Sequence, residues 1–343
     1  MGPIASPSDP HIGWGFIGAS LWARQRMIPA VAGADNATAV AVFSTSPQRG
    51  RAFAEECGLK RAHGSLEDLL DDPEVDAVYI STTNDLHARQ TIAAAAAGKH
   101  VLCEKPLAMT VADAKAMQAA CESAGVVFGT NHHLRGAPAI VKMRELIEQG
   151  AIGDVVAARI FNAGFLAPQF RHWRLSRPDA GGGVVLDLTV HDADTIRFLL
   201  ADEIVEVTAL TASNGLGNGV VEDSAMGAMR TSRGPLVCFH DDFMVPFAGT
   251  GVEVHGSSGS LIASDVLLAD PGGEVWLRRP DELTSISIGP VWPLYENVVN
   301  RFMAAIRGEG EPLTSGADGV ASLAIALAVL ESAEQGHPVA PAI

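Results

Sequence analysis

Cysteine is scarce and scattered: Cys57, Cys103, Cys121 and Cys238 are the only four, and none forms a C-x-x-C pair. Neither a disulfide framework nor a zinc knuckle is suggested, and a reducing cytoplasm is the simplest home. Basic residues are outnumbered, 24 against 40 acidic ones, for a net charge of −16. Such a field repels nucleic acid and anionic membrane, so neither is expected as a partner. Long apolar runs are missing too, since the longest, Val320 to Leu330, is shorter than a bilayer span requires. Met1 to Gly13 has neither the basic n-region nor the apolar h-region of a secretory leader. Its M-G-x-x-x-S start carries Pro3 and no polybasic neighbour, which argues against acylation. Residues 1–12 are expected to form a flexible tail.

What is present points to a globular protein of the α/β kind. A length of 343 residues suggests two domains, and 48% apolar residues with 35 Gly suit a core served by many tight turns. From Gly13 to about His133, β-rich runs (Trp14–Ile17, Thr38–Phe43, Val75–Ser81, His100–Cys103, Val126–Gly129) alternate with helical stretches such as Asp85–Ala97 and Thr110–Ala124. This predicts a doubly wound parallel sheet of the Rossmann kind over residues 13–133. Past a helix at roughly Ala137–Gln149 the texture changes. The runs Val155–Phe165, Ile204–Ala212, Ser224–Thr231, Leu236–Met244, Gly251–His255, Ser260–Leu268 and Glu274–Arg279 follow one another through short Gly/Pro/Asp turns. They predict an α+β domain over residues 134–343 with a largely antiparallel open sheet, interrupted by a helix after Gly181-Gly-Gly183 and closed by helices near Tyr295–Arg307 and Ala317–Gln335.

Each strand run of the first domain stops in a polar cluster, and in a parallel sheet the carboxyl ends line one ligand crevice. The first turn, Gly18-Ala19-Ser20-Leu21-Trp22-Ala23, is a G-x-G-x-x-G in which Ser20 and Ala23 replace two glycines. Gly18 can still make the turn and Ala23 still lets helix and strand pack closely, so a dinucleotide phosphate at that helix N-terminus is expected. An ordinary βα turn is the competing reading. The second strand ends Phe43-Ser44-Thr45-Ser46-Pro47-Gln48-Arg49 without an acid. An acid there would bind the ribose 2′-hydroxyl of NAD, whereas hydroxyls and a guanidinium favour the 2′-phosphate of NADP. A Ser/Pro helix cap followed by a solvated Arg explains the same residues.

Glu104-Lys105-Pro106 offers a lysine that could donate to a substrate oxygen, with Pro106 holding a strained or cis turn that aims it, although such a tripeptide is also a common surface turn. On the second-domain helix, Asp187, His191 and Asp194 fall at i, i+4 and i+7 and would share one face. His191 would serve as acid or base and Asp187 would contact substrate or hold the imidazole; a satisfied core histidine is the alternative. No metal is expected. His132-His133 and Asp241-Asp242 are adjacent in sequence, so within a strand their side chains would point to opposite faces, and Asp187 with His191 lacks a third ligand.

Taken in order, the turn G-F-I-G-A-S, Glu104-Lys105-Pro106 and G-G-G-V-V-L-D-L-T-V-H resemble the glucose-fructose oxidoreductase and inositol dehydrogenase (Gfo/Idh/MocA) family over nearly the whole chain. Further runs, S-T-S with Arg49, S-T-T-N at Ser81–Asn84, G-T-N-H-H-L-R at Gly129–Arg135 and W-R-L at Trp173–Leu175, resemble its reductases of a keto group on a sugar ring. The resemblance implies NADP(H) as cofactor and a small sugar as substrate, with oxidation of a sugar or polyol hydroxyl as the alternative direction. It implies Gly18 to Ala23 (Ala19, Ser20, Leu21 and Trp22 between them) under the pyrophosphate and Ser44, Thr45 and Arg49 at the adenosine phosphate. Thr82, Thr83, Asn84, Asp85, Leu86, His87, Glu104, Lys105, Asn131, Trp173, Arg174 and Tyr295 would surround the rest of the cofactor. Lys105, Asp187 and His191 would form the catalytic set. A homo-oligomer paired through the open sheet face is a further implication.

Overall fold

The computed structural model describes residues 10–270 and 272–343; most of the expected N-terminal tail lies outside them. The chain divides into two compact units, one made of residues up to His133 with Tyr295–Gly319, the other of Leu134–Leu294 with Val320–Ile343. The first unit holds six parallel strands: β1 (Ile12–Ile17), β2 (Ala37–Phe43), β3 (Arg61–His63), β4 (Ala77–Ile80), β5 (His100–Cys103) and β6 (Phe128–Thr130). Their order is β3-β2-β1-β4-β5-β6, so the chain reverses direction of travel between β1 and β4, where an open α/β sheet leaves its ligand crevice. β1 and β4 are fully buried, as helices on both faces require. The strand already begins at Ile12, which is buried and not part of a tail.

Helices start and stop where the local chemistry provides for it. Ser46 Oγ accepts the Arg49 N–H at the start of Pro47–Cys57, and Thr110 Oγ1 accepts the Asp113 N–H at the start of Val111–Ala124, satisfying donors that a helix leaves open. β3 escaped the sequence reading because it is an edge strand of three residues, Arg-Ala-His, whose polar side chains pair with Asp72. Arg61 Nε lies 2.8 Å and His63 Nε2 3.0 Å from Oδ2 of that nearly buried carboxylate.

The sequence placed everything after residue 133 in the second domain, whereas Tyr295–Gly319 returns to the first unit. The reason is a ring contact. Phe302, on the helix Leu294–Ile306, lies with its centroid 5.4 Å from that of Trp14, and both side chains are completely buried.

The second unit is built on eight strands: β7 (Val155–Phe165), β8 (Ile204–Ala212), β9 (Ser224–Thr231), β10 (Leu236–Asp242), β11 (Met244–Gly256), β12 (Ser260–Ser264), β13 (Glu274–Arg279) and β14 (Glu282–Ile286). The order is β14-β13-β12-β11-β7-β10-β9-β8, with β10 and β7 parallel and the other neighbours antiparallel. Compared with the sequence reading, β11 starts seven residues earlier through an irregular stretch between Met244 and Gly249, β12 stops at Ser264, and β14 is additional. One face is apolar and buried, with Ile160, Val207, Phe239, Val252 and Leu261. The other leaves Leu210 at 76% and Met226 at 49% exposure.

The last helix is Gly316–Gln335, long and apolar enough to cross a membrane by length and composition, where the run Val320–Leu330 had read as too short. It is a core helix by its surroundings: Leu323, Ile325 and Val329 are fully buried, and Ser332 Oγ accepts the Ala209 N–H at 3.1 Å.

Phe302→Ala should open a cavity beside Trp14 and destabilise the first unit by about 3–5 kcal/mol. The urea midpoint of Trp fluorescence checks this, and an unchanged midpoint would mean that the helix Leu294–Ile306 does not belong to that core.

Candidate active site

In the first unit the residues singled out from sequence gather at the carboxyl ends of β1, β2, β4, β5 and β6. Gly18 makes the turn after β1 at φ +106°, a backbone conformation that side chains rarely adopt. A Cβ there would sit 3.1 Å from the Ser81 backbone, so this glycine lets β1 and β4 finish side by side. Ser20 Oγ meets Ser81 Oγ at 2.8 Å and accepts the Ala23 N–H at 2.9 Å. Ala19, Leu21 and Trp22 are half-buried at the helix start, while Ala23 is fully enclosed and serves packing.

At the end of β2, Ser44 is 2% exposed and accepts from Arg49 Nε at 3.2 Å. Thr45 and Arg49 are the exposed groups there. At the end of β4, Thr82, Thr83 and Leu86 are half-buried, Asp85 is exposed and Asn84 is buried. His87 is completely enclosed, with Nδ1 donating to the Pro106 carbonyl at 2.9 Å. Its buried ring is held below the usual imidazole range by burial. It thus braces the Lys105–Pro106 turn, whose peptide bond is cis.

Glu104 is the electrostatic centre. Its carboxylate accepts from the Tyr79 hydroxyl, from Asn131 Nδ2 at 2.6 Å and from the Lys105 N–H at 3.3 Å. Burial raises its pKa, opposed by those donors and by the Lys105 charge. Asn131 is wholly buried, and its Oδ1 finds no hydrogen-bond partner among the described residues. Beside it, His133 stacks on Tyr295 with centroids 4.9 Å apart, and Trp22 meets Tyr295 edge-on at 6.1 Å. Burial, helped by the charges of Lys105, His132 and Arg26, pushes His133 down to about 3, so the ring is neutral at physiological pH.

This end of the sheet fits a dinucleotide. The turn at Gly18 keeps side chains out of the way, a helix begins just beyond it, Asn131 carries an unused acceptor, and no carboxylate stands between Phe43 and Arg49. Tyr79 was missed in the sequence reading, and His133 was noted there without a cofactor role. Tyr79 lies inside a strand that reads as core, while His133 was visible in the G-T-N-H-H run.

In the second unit, Asp187 and His191 stand on the helical segment that follows three glycines. Two of those glycines are required: a Cβ on Gly182 would lie 2.8–3.1 Å from the backbone carbonyls of Trp173, Arg174 and Arg177, and Gly183 turns at φ +110°, a conformation side chains rarely adopt. Glu222 Oε1 in turn accepts the Val185 N–H at 3.2 Å, a carboxylate at a helix N-terminus. Val185–Thr189 is a π-helical turn leading into the α-helix Val190–Leu200. The one-face argument for Asp187, His191 and Asp194 assumed 3.6 residues per turn and therefore holds only from Val190 onward.

The three residues go separate ways. Asp187 accepts from Arg174 Nε at 3.1 Å, and the Arg174 guanidinium lies 4.8 Å from the Trp173 ring centre. Asp194 is buried and held by Arg135 through two bonds of 2.8 and 2.7 Å, an anchoring ion pair. His191 is 6% exposed. Trp173, Arg174, Asp187 and His191 all belong to the second unit, and the other predicted residues to the first.

Both parts of the chain have counterparts among known proteins. Residues 12–132 match the family model described as "Oxidoreductase family, NAD-binding Rossmann fold", and residues 140–262 match "GFO/IDH/MocA C-terminal domain". A curated relative from Ensifer adhaerens, 1,5-anhydro-D-fructose reductase, is 51% identical over 94% of this chain and 97% of its own length. Inositol 2-dehydrogenase of Rhizobium meliloti is 30% identical over 88% of this chain and 91% of its own. Among solved structures, aldose-aldose oxidoreductase from Caulobacter crescentus complexed with glycerol superposes with a TM-score of 0.88 at 26% identity, covering 96% of this chain and 99% of that one. A levoglucosan dehydrogenase in complex with NADH does so at 0.86 and 25%, with the same coverages. Two family models that between them span most of the chain, a parallel sheet with its turn at Gly18 and a second, mostly antiparallel sheet make this protein a member of the Gfo/Idh/MocA family of sugar oxidoreductases.

Proposed function

We propose that this protein reduces 1,5-anhydro-D-fructose to 1,5-anhydro-D-mannitol with NADPH. The observation that carries the reading is the 51% identity to the Ensifer adhaerens reductase along almost the entire chain. Preference for NADPH is supported by the exposed Thr45 and Arg49 at the end of β2, where an NAD-selective acid is missing. Bound in the first unit, the cofactor would supply a hydride to the ketone carbon. As hydride arrives the carbonyl oxygen gains negative charge, and this reading gives Lys105 and His191 the task of stabilising it and supplying the proton. Asp187, already paired with Arg174, would orient the sugar or the imidazole. Asn131 and Glu104 would hold the cofactor end nearest Lys105, while Trp22 and Tyr295 would wall it.

Oxidation of a sugar or polyol hydroxyl is the second reading, favoured by the 30% identity to an inositol 2-dehydrogenase. Four free cysteines, two of them buried, support a reducing cytoplasm as its place of work. The exposed Leu210 and Met226 on the open sheet face support pairing with a second copy of the chain.

An absorbance assay at 340 nm tests the reading. NADPH should be consumed with 1,5-anhydro-D-fructose and NADH only slowly; a silent reductive panel with turnover of NADP+ or NAD+ by a polyol would transfer the enzyme to the second reading. Arg49→Ala should raise the KM for NADPH about tenfold, the worth of one or two charge-assisted phosphate bonds, and leave that for NADH unchanged. Equal changes with both cofactors would remove Arg49 from the 2′-phosphate. Lys105→Ala should lower kcat by ~10²–10⁴-fold while fluorescence titration finds NADPH affinity retained; a parallel loss of both would mean a structural lysine.

A further inference from the structure

Immediately after His191 comes a carboxylate that none of this chemistry uses. Asp192, on the helix Val190–Leu200, and Asp241, on β10, are both 0% exposed. Their carboxyl groups lie within hydrogen-bonding reach of each other; none of the four oxygens makes a hydrogen bond of good geometry among the described residues, and the donors close enough to act on them are the neutral groups of Asn162 and Thr189. The side chains nearest the pair are neutral or acidic. Asn162 on β7 stands opposite Asp241 in the parallel register, Thr189 precedes the helix, and Asp242 follows on the strand, facing His240 at 3.8 Å. No arginine or lysine is among the groups acting on the pair. Nor do three His, Cys, Asp or Glu side chains assemble into a cation site among the described residues.

Two fully buried carboxyl groups in contact are not both ionised, because burial and mutual repulsion act in the same direction. We propose that Asp192 and Asp241 share a proton, and that this O–H···O bond latches the helix bearing His191 onto the sheet, making the two aspartates positioning residues for the reaction. The inference rests on the proposed function only for its consequence in turnover; the latch itself belongs to the fold.

The sign of its pH dependence follows. Burial first, and then the partner carboxyl, hold Asp192 well above the ordinary carboxylate range, and burial raises Asp241 as well. In the unfolded chain both titrate at about 3.9. The stability carried by the protonated pair is therefore complete below that value and is lost as pH rises through the raised one. In Asp241→Asn the amide donates permanently to Asp192, a bond that alkali cannot remove.

The test is the Tm of wild type and Asp241→Asn from pH 5 to 9, with Asp192→Asn as the reciprocal variant should the first fold poorly. The wild type should lose Tm relative to the amide variant as pH rises; parallel curves would mean no shared proton and overturn the latch. A kinetic arm uses the sugar on which the wild type is active. Asp241→Ala should lower kcat by up to about 10²-fold, the cost of a misplaced catalytic group, with KM and NADPH affinity little changed, and Asp241→Asn should restore it. A kcat equal to wild type in Asp241→Ala would overturn the positioning role. Failure of every sugar on wild type would instead strike the proposed function and leave the thermal comparison standing.

Discussion

The order of the first unit's ligand end depends on one buried anion, the carboxylate of Glu104. It receives the hydroxyl of Tyr79 from β4, the amide of Asn131 from just beyond β6, and the N–H of Lys105, the next residue in the turn that follows β5. A carboxylate out of water is costly unless donors surround it, so removing any of the three would leave charge unsatisfied. Two of these bonds tie the end of β5 to β4 and to the end of β6, next to the Lys105–Pro106 turn. His87 completes the arrangement from the other side by holding the Pro106 carbonyl. The neutral, stacked His133 and Tyr295 then form a wall that adds no charge of its own.

The second unit solves a related problem with glycine and acid. Its helical segment must start against the carbonyls of Trp173 and Arg174, which leaves no room for a Cβ at Gly182, and the chain turns beside Glu222 at φ +110°, which favours glycine at Gly183. Close approach gives Glu222 access to the open N–H of Val185 and brings Arg174 to Asp187. The π-helical turn at Val185–Thr189 absorbs the resulting geometry. Three acids within two helical turns consequently receive three different partners: arginine for Asp187, a buried arginine for Asp194, and a second carboxyl for Asp192.

The strands that could be read in advance are those whose composition alone betrays them. Alternating β runs joined by short turns marked β7 to β13, and short β-rich runs ending in polar clusters marked β1, β2, β4, β5 and β6. β3 and β14 had no such signature, since both are edge strands with polar or exposed residues that gain nothing from a hydrophobic period. The candidate site was legible to the same degree. Gly18, Thr45, Arg49 and Lys105 stand at strand ends, where polar residues and turns have a reason to coincide. Ser44 and His87 also stand there, but burial turned them inward to brace Arg49 and Pro106.

Sequence by itself determined the fold class, the two kinds of sheet and the chemistry available at the strand ends, because these follow from local periodicity and from residue type. Tertiary structure decided which unit receives Tyr295–Gly319, which of the polar residues are supports, and how the acids around His191 are paired. Periodicity along a helix tells that one face will be buried. It does not tell which surface will bury it, and that choice was made by the fit of Phe302 beside Trp14 and by Asp192 finding Asp241 on a strand some fifty residues away.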